Sequence, residues 1–285
     1  MNIQSKAILF IPMIFFTFFL NISAQDSTIT GLTYVELKDG SSFSGYVIEE
    51  SEEMLKIRTL AGIEIEIPIK QIIERKIITG EIREGELWYE DPNTTRMFFA
   101  PTGRGLKAGQ GYFSVYEIFF PFIAVGITDW LAISGGMSLL PGADDQVLYI
   151  APKITPLSTG SFDLSAGILY VKPPKADEGG GIAYGVGTYG SSKASLTLGV
   201  GFGFSGGDFA DKPIIVLGAD LRVSRSVKFV TENWIMIDES SLISFGLRFF
   251  GTSIAGDFGL IYSTENDGDG FPFLPWLGFA YNFGK

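Results

Sequence analysis

Ala194-Ser-Leu-Thr-Leu-Gly-Val-Gly-Phe-Gly-Phe204 is where the fold is decided. Its even positions are Ala, Leu, Leu, Val, Phe and Phe. Its odd positions from 195 to 203 are Ser, Thr, Gly, Gly and Gly. Period two, with one apolar face and one small or polar face, is the pattern of a β-strand. Small residues on the second face suit a narrow lumen that other side chains must fill.

The same parity recurs on both sides of this stretch. Ile215, Leu217, Ala219, Leu221 and Val223 oppose Val216, Gly218, Asp220 and Arg222. Ile243, Phe245, Leu247 and Phe249 oppose Ser244, Gly246 and Arg248. Ile254, Phe258, Leu260 and Tyr262 oppose Asp257 and Gly259, and Leu164, Ala166, Ile168 and Tyr170 oppose Asp163, Ser165 and Gly167. The pattern predicts strands near 111–119, 122–129, 131–139, 146–155, 162–171, 181–190, 194–204, 213–223, 226–237, 242–250, 254–263 and 273–283. That is twelve, an even number as in bacterial membrane barrels. Short connections alternate with longer polar ones, as periplasmic turns alternate with outer loops. The first hairpin, with only Phe120-Pro121 to turn on, breaks the alternation, so ten strands is the alternative count. About 10 residues per tilted strand fits twelve into the region with connections of about six.

Composition agrees. The chain has 285 residues, 46% hydrophobic and 14% aromatic, with 36 Gly, no His and no Cys. It has no apolar run after the N-terminus long enough for a membrane helix, so spanning falls to strands. The absence of His and Cys removes Ser–His chemistry, thiolate nucleophiles and the usual zinc ligands. The net charge of −11 disfavours nucleic acid and anionic lipid as partners. No cofactor or metal is expected. Gly185-Val-Gly187-Thr-Tyr-Gly190 fits a dinucleotide pattern but sits in an alternating strand with no helix after it. Glu265 to Gly270 looks like half a calcium loop without the distal Glu.

The N-terminus reads as an address. Lys6 precedes an apolar run from Ala7 to Leu20, and Ala24 offers a small residue for cleavage, so 1–24 is a predicted signal peptide. Residues 25–96 then carry 15 acids and 8 bases with 6 Gly, against 17 acids, 12 bases and 30 Gly in 97–285. Asp91-Pro92-Asn93-Thr94-Thr95-Arg96 has turn chemistry and marks the change of texture. The predicted organisation is a small periplasmic β-domain over 25–91, a linker over 92–110 and a membrane barrel over 111–285.

Within the first unit, Lys38-Asp39-Gly40 reads as a hairpin turn between strands, and Gly45 as a bend. The string Val35-Glu-Leu-Lys-Asp-Gly40-Ser-Ser-Phe-Ser-Gly45-Tyr-Val47 resembles the first motif of Sm-like, SH3-like barrels over about 50 residues. That resemblance implies a small barrel. RNA binding does not transfer to an acidic domain behind a secretion signal; a docking or spacer module is expected instead.

At the other end, Gly278-Phe-Ala-Tyr281-Asn-Phe283 resembles the C-terminal insertion signal of outer-membrane barrels, with Gly278, Tyr281 and Phe283 as its key positions. Gly284 and Lys285 extend past it, and Trp276 stands at a usually polar place. The resemblance implies the outer-membrane assembly machinery as a partner. Phe98 to Phe113, Gly126-Ile-Thr-Asp129, Gly179 to Gly185 and Val230-Thr-Glu232-Asn233-Trp234 together resemble a Gram-negative outer-membrane β-barrel family with an N-terminal Sm/SH3-like β-domain. The resemblance spans most of residues 30–283. It implies fold and location, and no activity comes with it.

Charges on the small-residue face are the candidate site. Glu117, Asp163, Asp220, Arg222, Lys228, Glu232, Arg248 and Asp257 should face inward, because Arg or Lys facing lipid at mid-depth costs about 2–4 kcal/mol. They make either a salt-bridged plug or a polar pore, with Arg222, Arg248 and Glu232 expected at the narrow part. Tyr112, Trp130, Tyr170, Tyr189, Trp234, Tyr262 and Trp276 fall near strand ends and read as interfacial girdles. The expected whole is an all-β, non-enzymatic outer-membrane barrel behind a periplasmic module, bathed in outer-membrane lipid. Its first functional reading is a narrow channel or passive transport protein. The alternative is a structural or docking protein with a plugged lumen, whose periplasmic domain engages a protein partner.

Overall fold

The computed structural model describes residues 28–83, 86–265 and 271–284. The expected signal segment and residues 266–270 of the half calcium loop lie outside them.

The N-terminal unit contains β1 (Thr28–Leu37), β2 (Ser42–Glu50), β3 (Met54–Thr59), β4 (Glu64–Pro68), β5 (Ile72–Arg83) and β6 (Glu86–Tyr89). They form one antiparallel sheet in the order β4-β3-β2-β1-β5-β6. The described pairings leave it open, with β4 and β6 at its edges. The first hairpin turns where Gly40 adopts φ +84° and Asp39 accepts the Ser41 amide at 2.9 Å. Val35, Leu55, Ile57 and Ile67 are its buried core, with Leu37, Phe43 and Ile72 packed around them. Gly45 allows β2 and β3 to pack closely: a Cβ there would meet the Arg58 carbonyl oxygen at 2.6 Å. On the surface Arg75 grips both oxygens of Glu50 at 2.6 and 3.0 Å, which holds that carboxyl below its ordinary range.

The second unit is a closed antiparallel barrel. Its strands are β7 (Gly111–Tyr116), β8 (Phe120–Gly126), β9 (Leu131–Met137), β10 (Leu148–Ile150), β11 (Lys153–Ser158), β12 (Phe162–Lys172), β13 (Gly180–Gly190), β14 (Ala194–Ser205), β15 (Asp208–Ser224), β16 (Val227–Met236), β17 (Leu242–Phe250), β18 (Ile254–Ser263) and β19 (Phe273–Phe283). Strands β10 and β11 each pair with both β9 and β12, so together they fill one position. Pro152 has no N–H to give and separates them. The barrel therefore has twelve positions, and β19 closes it on β7 from Gly278↔Tyr116 to Phe283↔Gly111.

The parity read from residues 194–204 holds in space. Leu196, Leu198, Val200 and Phe202 are exposed outward, Leu198 by 54%, whereas Ser195 and Thr197 are buried. Phe245, Phe249, Phe258, Leu164 and Ile168 are likewise exposed opposite buried polar neighbours. An apolar outer face around a closed ladder leaves no unpaired backbone edge, which is what spanning a bilayer demands. The fold is a transmembrane β-barrel.

The two barrel ends differ. Connections at the end carrying Gly111 and Phe283 are brief, for example 191–193, 225–226 and 251–253. Connections at the far end include 138–147, 173–179 and 264–272. Two far-end connections are exceptions, Gly206-Gly207, which alone separates β14 from β15, and the β7–β8 hairpin. Strand β7 stops at Tyr116, and residues 117–119 make the turn, with Phe120 and Pro121 already in β8. Glu117 and Ile118 adopt φ +48° and +67°, a costly conformation for a β-branched residue. The Glu117 amide donating to the Leu277 carbonyl at 2.9 Å holds it, together with the Glu117 carboxylate accepting the Leu277 amide at 2.8 Å. The N-terminal sheet meets the short-turn end, where the Tyr89 amide donates to the Arg225 carbonyl at 3.2 Å and Arg222 lies 5.3 Å over the Trp88 ring.

Candidate functional site

Residues 92–110, expected to be a linker between domains, do not run outside the barrel. From Asp91 the chain enters the interior at the short-turn end, turns at Met97–Ala100 and returns to Gly111. The Arg96↔Pro101 bridge, the Met97 amide on the Ala100 carbonyl at 2.9 Å and the Thr102 amide on the Thr95 carbonyl at 3.0 Å define an inner hairpin. Its Asp91, Asn93, Arg96, Met97, Phe98, Ala100 and Thr102 are all buried.

The wall is shaped for it. A Cβ at Gly218 would collide with Met97, and one at Gly259 would meet the Phe98 ring at 3.0 Å. Met97, Phe98 and Ala100 form a buried cluster with Val230, flanked by Val216, Trp234 and Trp276. Gly218 and Gly259, both on inward parity, thus leave space that the hairpin fills.

Ion pairs fasten its base. Asp91 lies 3.2 Å from Arg248 Nη1 and 3.4 Å from Lys228 Nζ, and Lys228 also reaches Asp220 at 2.8 Å. Arg248 Nε donates to Asp257 Oδ1 at 2.6 Å, while its other nitrogens donate to the carbonyls of Asn93, Arg96 and Met97. Arg96 Nη1 reaches the other oxygen of Asp257 at 2.6 Å and the carbonyls of Met97 and Phe98 at 3.1 and 2.8 Å. Isolated charges could not survive such burial; shared carboxylates and filled carbonyls make it tolerable.

The tip and the returning arm are held separately. Glu232 Oε2 accepts the amides of Phe99 and Ala100, both at 3.0 Å, and its Oε1 accepts Trp234 Nε1 at 2.8 Å. Lys153 Nζ donates to the carbonyls of Arg104, Thr102 and Thr95 at 2.7, 3.3 and 3.4 Å. Gly103 is bonded on both sides, its amide to Thr188 Oγ1 and its carbonyl from Ser165 Oγ. Arg104 approaches Asp163 at 3.7 Å.

The structure therefore gathers Asp163, Asp220, Lys228, Glu232, Arg248 and Asp257 around one object. It does not bring in the other two expected lumen charges. Glu117 sits in the β7–β8 turn, because β7 ends one residue before it. Arg222 lies at the short-turn rim, donating to the carbonyls of Ser224 and Arg225 and stacked by Trp88 and Phe250, not at the narrow part. The girdle expectation needs a similar correction. Trp130 and Tyr189 are exposed, but Tyr112 is buried in the interior and Trp234 and Trp276 pack on the hairpin. Gly278, Tyr281 and Phe283 lie in β19 as it closes on β7, with Tyr281 exposed outward.

Sequence reading missed Asp91, Arg96, Arg104 and Lys153. The available signal was Met97 to Pro101, an apolar run without strand alternation, set beside inward faces too small to fill a barrel. Among the described residues no three acidic side chains gather as a metal site would need.

The class this geometry defines is a transmembrane β-barrel with an interior segment of its own chain. No family model matches the sequence, and no curated protein matches it. Among solved structures, the KdgM porin in complex with disordered oligogalacturonate matches at 8% identity and TM-score 0.47, over 61% of this chain and 98% of that one. The NanC porin matches at 7% identity and TM-score 0.41, over 61% and 97%. OmpT of Vibrio cholerae, in a form lacking loop L8, matches at 14% identity and TM-score 0.36, over 89% and 96%. The class rests on ladder closure and the outward apolar face, not on these likenesses.

Proposed function

We propose that the protein is an outer-membrane barrel acting as a narrow, passive channel whose bore is set by the inner hairpin. In this reading the short-turn end faces the periplasm. The N-terminal sheet, as a small Sm/SH3-like unit, stands there as a docking or spacer module. The carrying observation is that the interior wall carries buried charges at Lys228, Glu232, Arg248 and Asp257 while its filler is a separate segment, covalently continuous with the barrel only at Gly111. A wall built solely for stability has no need of such polarity, since buried ion pairs are often no better than apolar packing.

A second reading rests on the number of fastenings at Arg248, Glu232 and Lys153. It takes the hairpin as permanent and the protein as a structural or docking element. Planar bilayers separate the two. Wild-type barrel and an Arg248→Met variant, each intact by heat-modifiable gel shift, are compared. The channel reading expects small conductance steps in the wild type that grow when the hairpin is loosened. Absence of conductance in both supports the docking reading and sinks the channel.

A further inference from the structure

Beside the hairpin tip lies a cavity of about 70 Å³ whose walls include two cations, Arg96 and Lys153, and no carboxylate. Three tyrosines, Tyr112, Tyr116 and Tyr184, add hydroxyls to it. Arg96 is 2% exposed, and only its Nη1 is used; Nε and Nη2 have no hydrogen-bond partner in the protein. A guanidinium offers five donors in a fixed fork, and unpaired donors in a dry interior are expensive. The group is held 5.4 Å over the Tyr116 ring, which fixes its plane without satisfying those donors. Lys153 gives its hydrogen bonds to carbonyl oxygens, and Asp163 acts on its charge only from beyond ion-pair distance.

A second cavity of about 40 Å³ adjoins the first across Phe99, Pro101, Leu169 and Tyr184. Its far wall is apolar, made by Ile214, Val216, Val186 and Trp234 among others. Phe99, at the hairpin tip, lines both and is 37% exposed.

We propose that the paired cavities bind a small organic anion, with its carboxylate between Arg96 and Lys153 and its apolar body against Ile214 and Trp234. The charged end meets the cavity that holds cations without acids; the hydrophobic end meets the one with almost no polar surface. Neither half depends on whether the barrel conducts, so binding and conductance fail or succeed separately.

The test uses 4-bromobenzoate and its neutral analogue 4-bromobenzyl alcohol, titrated into the full chain in detergent. Saturable one-to-one binding of the acid is expected, at least about tenfold tighter than the alcohol, as loss of a charged hydrogen bond implies. Lys153→Met should weaken the acid by about tenfold or more and leave the alcohol unchanged. In soaked crystals the bromine should appear by anomalous scattering beside Trp234. If Lys153→Met loses the heat-modifiable shift of a folded barrel, Ile214→Trp, which fills the apolar cavity, should abolish binding instead. Equal binding of acid and alcohol, unchanged binding in the folded variant, or bromine elsewhere overturns the proposal.

Discussion

Arg248 on the barrel wall donates through Nη1 to Asp91, the first buried residue of the inner hairpin, at 3.2 Å. The same guanidinium holds Asp257 and three hairpin carbonyls, so one side chain ties wall, floor and plug together. Removing one member of a buried ion-pair cluster typically costs about 3–5 kcal/mol, because the remaining charges lose their partner. Arg248→Met should loosen the hairpin by that order. The native chain has no Cys, so a single Thr95→Cys, between the Asn93 and Arg96 carbonyls that Arg248 holds, can be labelled uniquely. Its maleimide labelling under native conditions should rise at least about a hundredfold in the Arg248→Met background. Unchanged labelling would show that Arg248 is not the latch.

Gly218 makes room for Met97. Gly218→Val should overpack this contact and cost about 1–3 kcal/mol. Trimming Met97→Ala in the same chain should recover the share due to Met97, leaving the share due to the Thr231 carbonyl 2.8 Å from the new Cβ, and a double-mutant cycle on the thermal midpoint of the gel shift reads the coupling. Additive effects would place Met97 away from Gly218.

Glu232 collects the Phe99 and Ala100 amides and the Trp234 indole. Glu232→Ala leaves one buried donor, the Ala100 amide, and two part-buried ones without an acceptor, at up to about 1–3 kcal/mol for each unmade bond. The tip should loosen while the base stays fixed. Hydrogen exchange at Phe99 and Ala100 should quicken, with Asn93 unaffected. Uniform quickening along 91–106 would contradict a separately held tip.

Arg222, for all its inward parity, is a rim residue packed between Trp88 and Phe250. Arg222→Ala should leave ion selectivity unchanged in bilayers and instead weaken the seat of the N-terminal sheet, raising protease cleavage near Tyr89. A changed selectivity with an unchanged cleavage pattern would return Arg222 to the pore.

Much of the barrel was legible because lipid outside and packed interior inside impose a strict alternation on every strand. Residues 194–204 and 243–249 show it without interruption. It failed where tertiary contacts take over: Glu117 continues the numbering of β7 but belongs to a turn pinned by Leu277. The interior charges were readable as inward-facing, since Asp220, Arg248 and Asp257 have no place in lipid. Their partners were not, because Asp91 and Arg96 sit in a stretch whose turn chemistry looks the same inside a barrel as outside one. The excess of Gly on inward faces, set beside the apolar run Met97 to Pro101, hinted at a filler.

Accessibility of Met97 tests most directly whether residues 91–106 occupy the barrel. Met97→Cys in the otherwise cysteine-free chain, treated with a bulky maleimide in native membranes, should stay unlabelled while the barrel keeps its gel shift, and label fully once denatured. Rapid labelling of the folded barrel would contradict an interior hairpin.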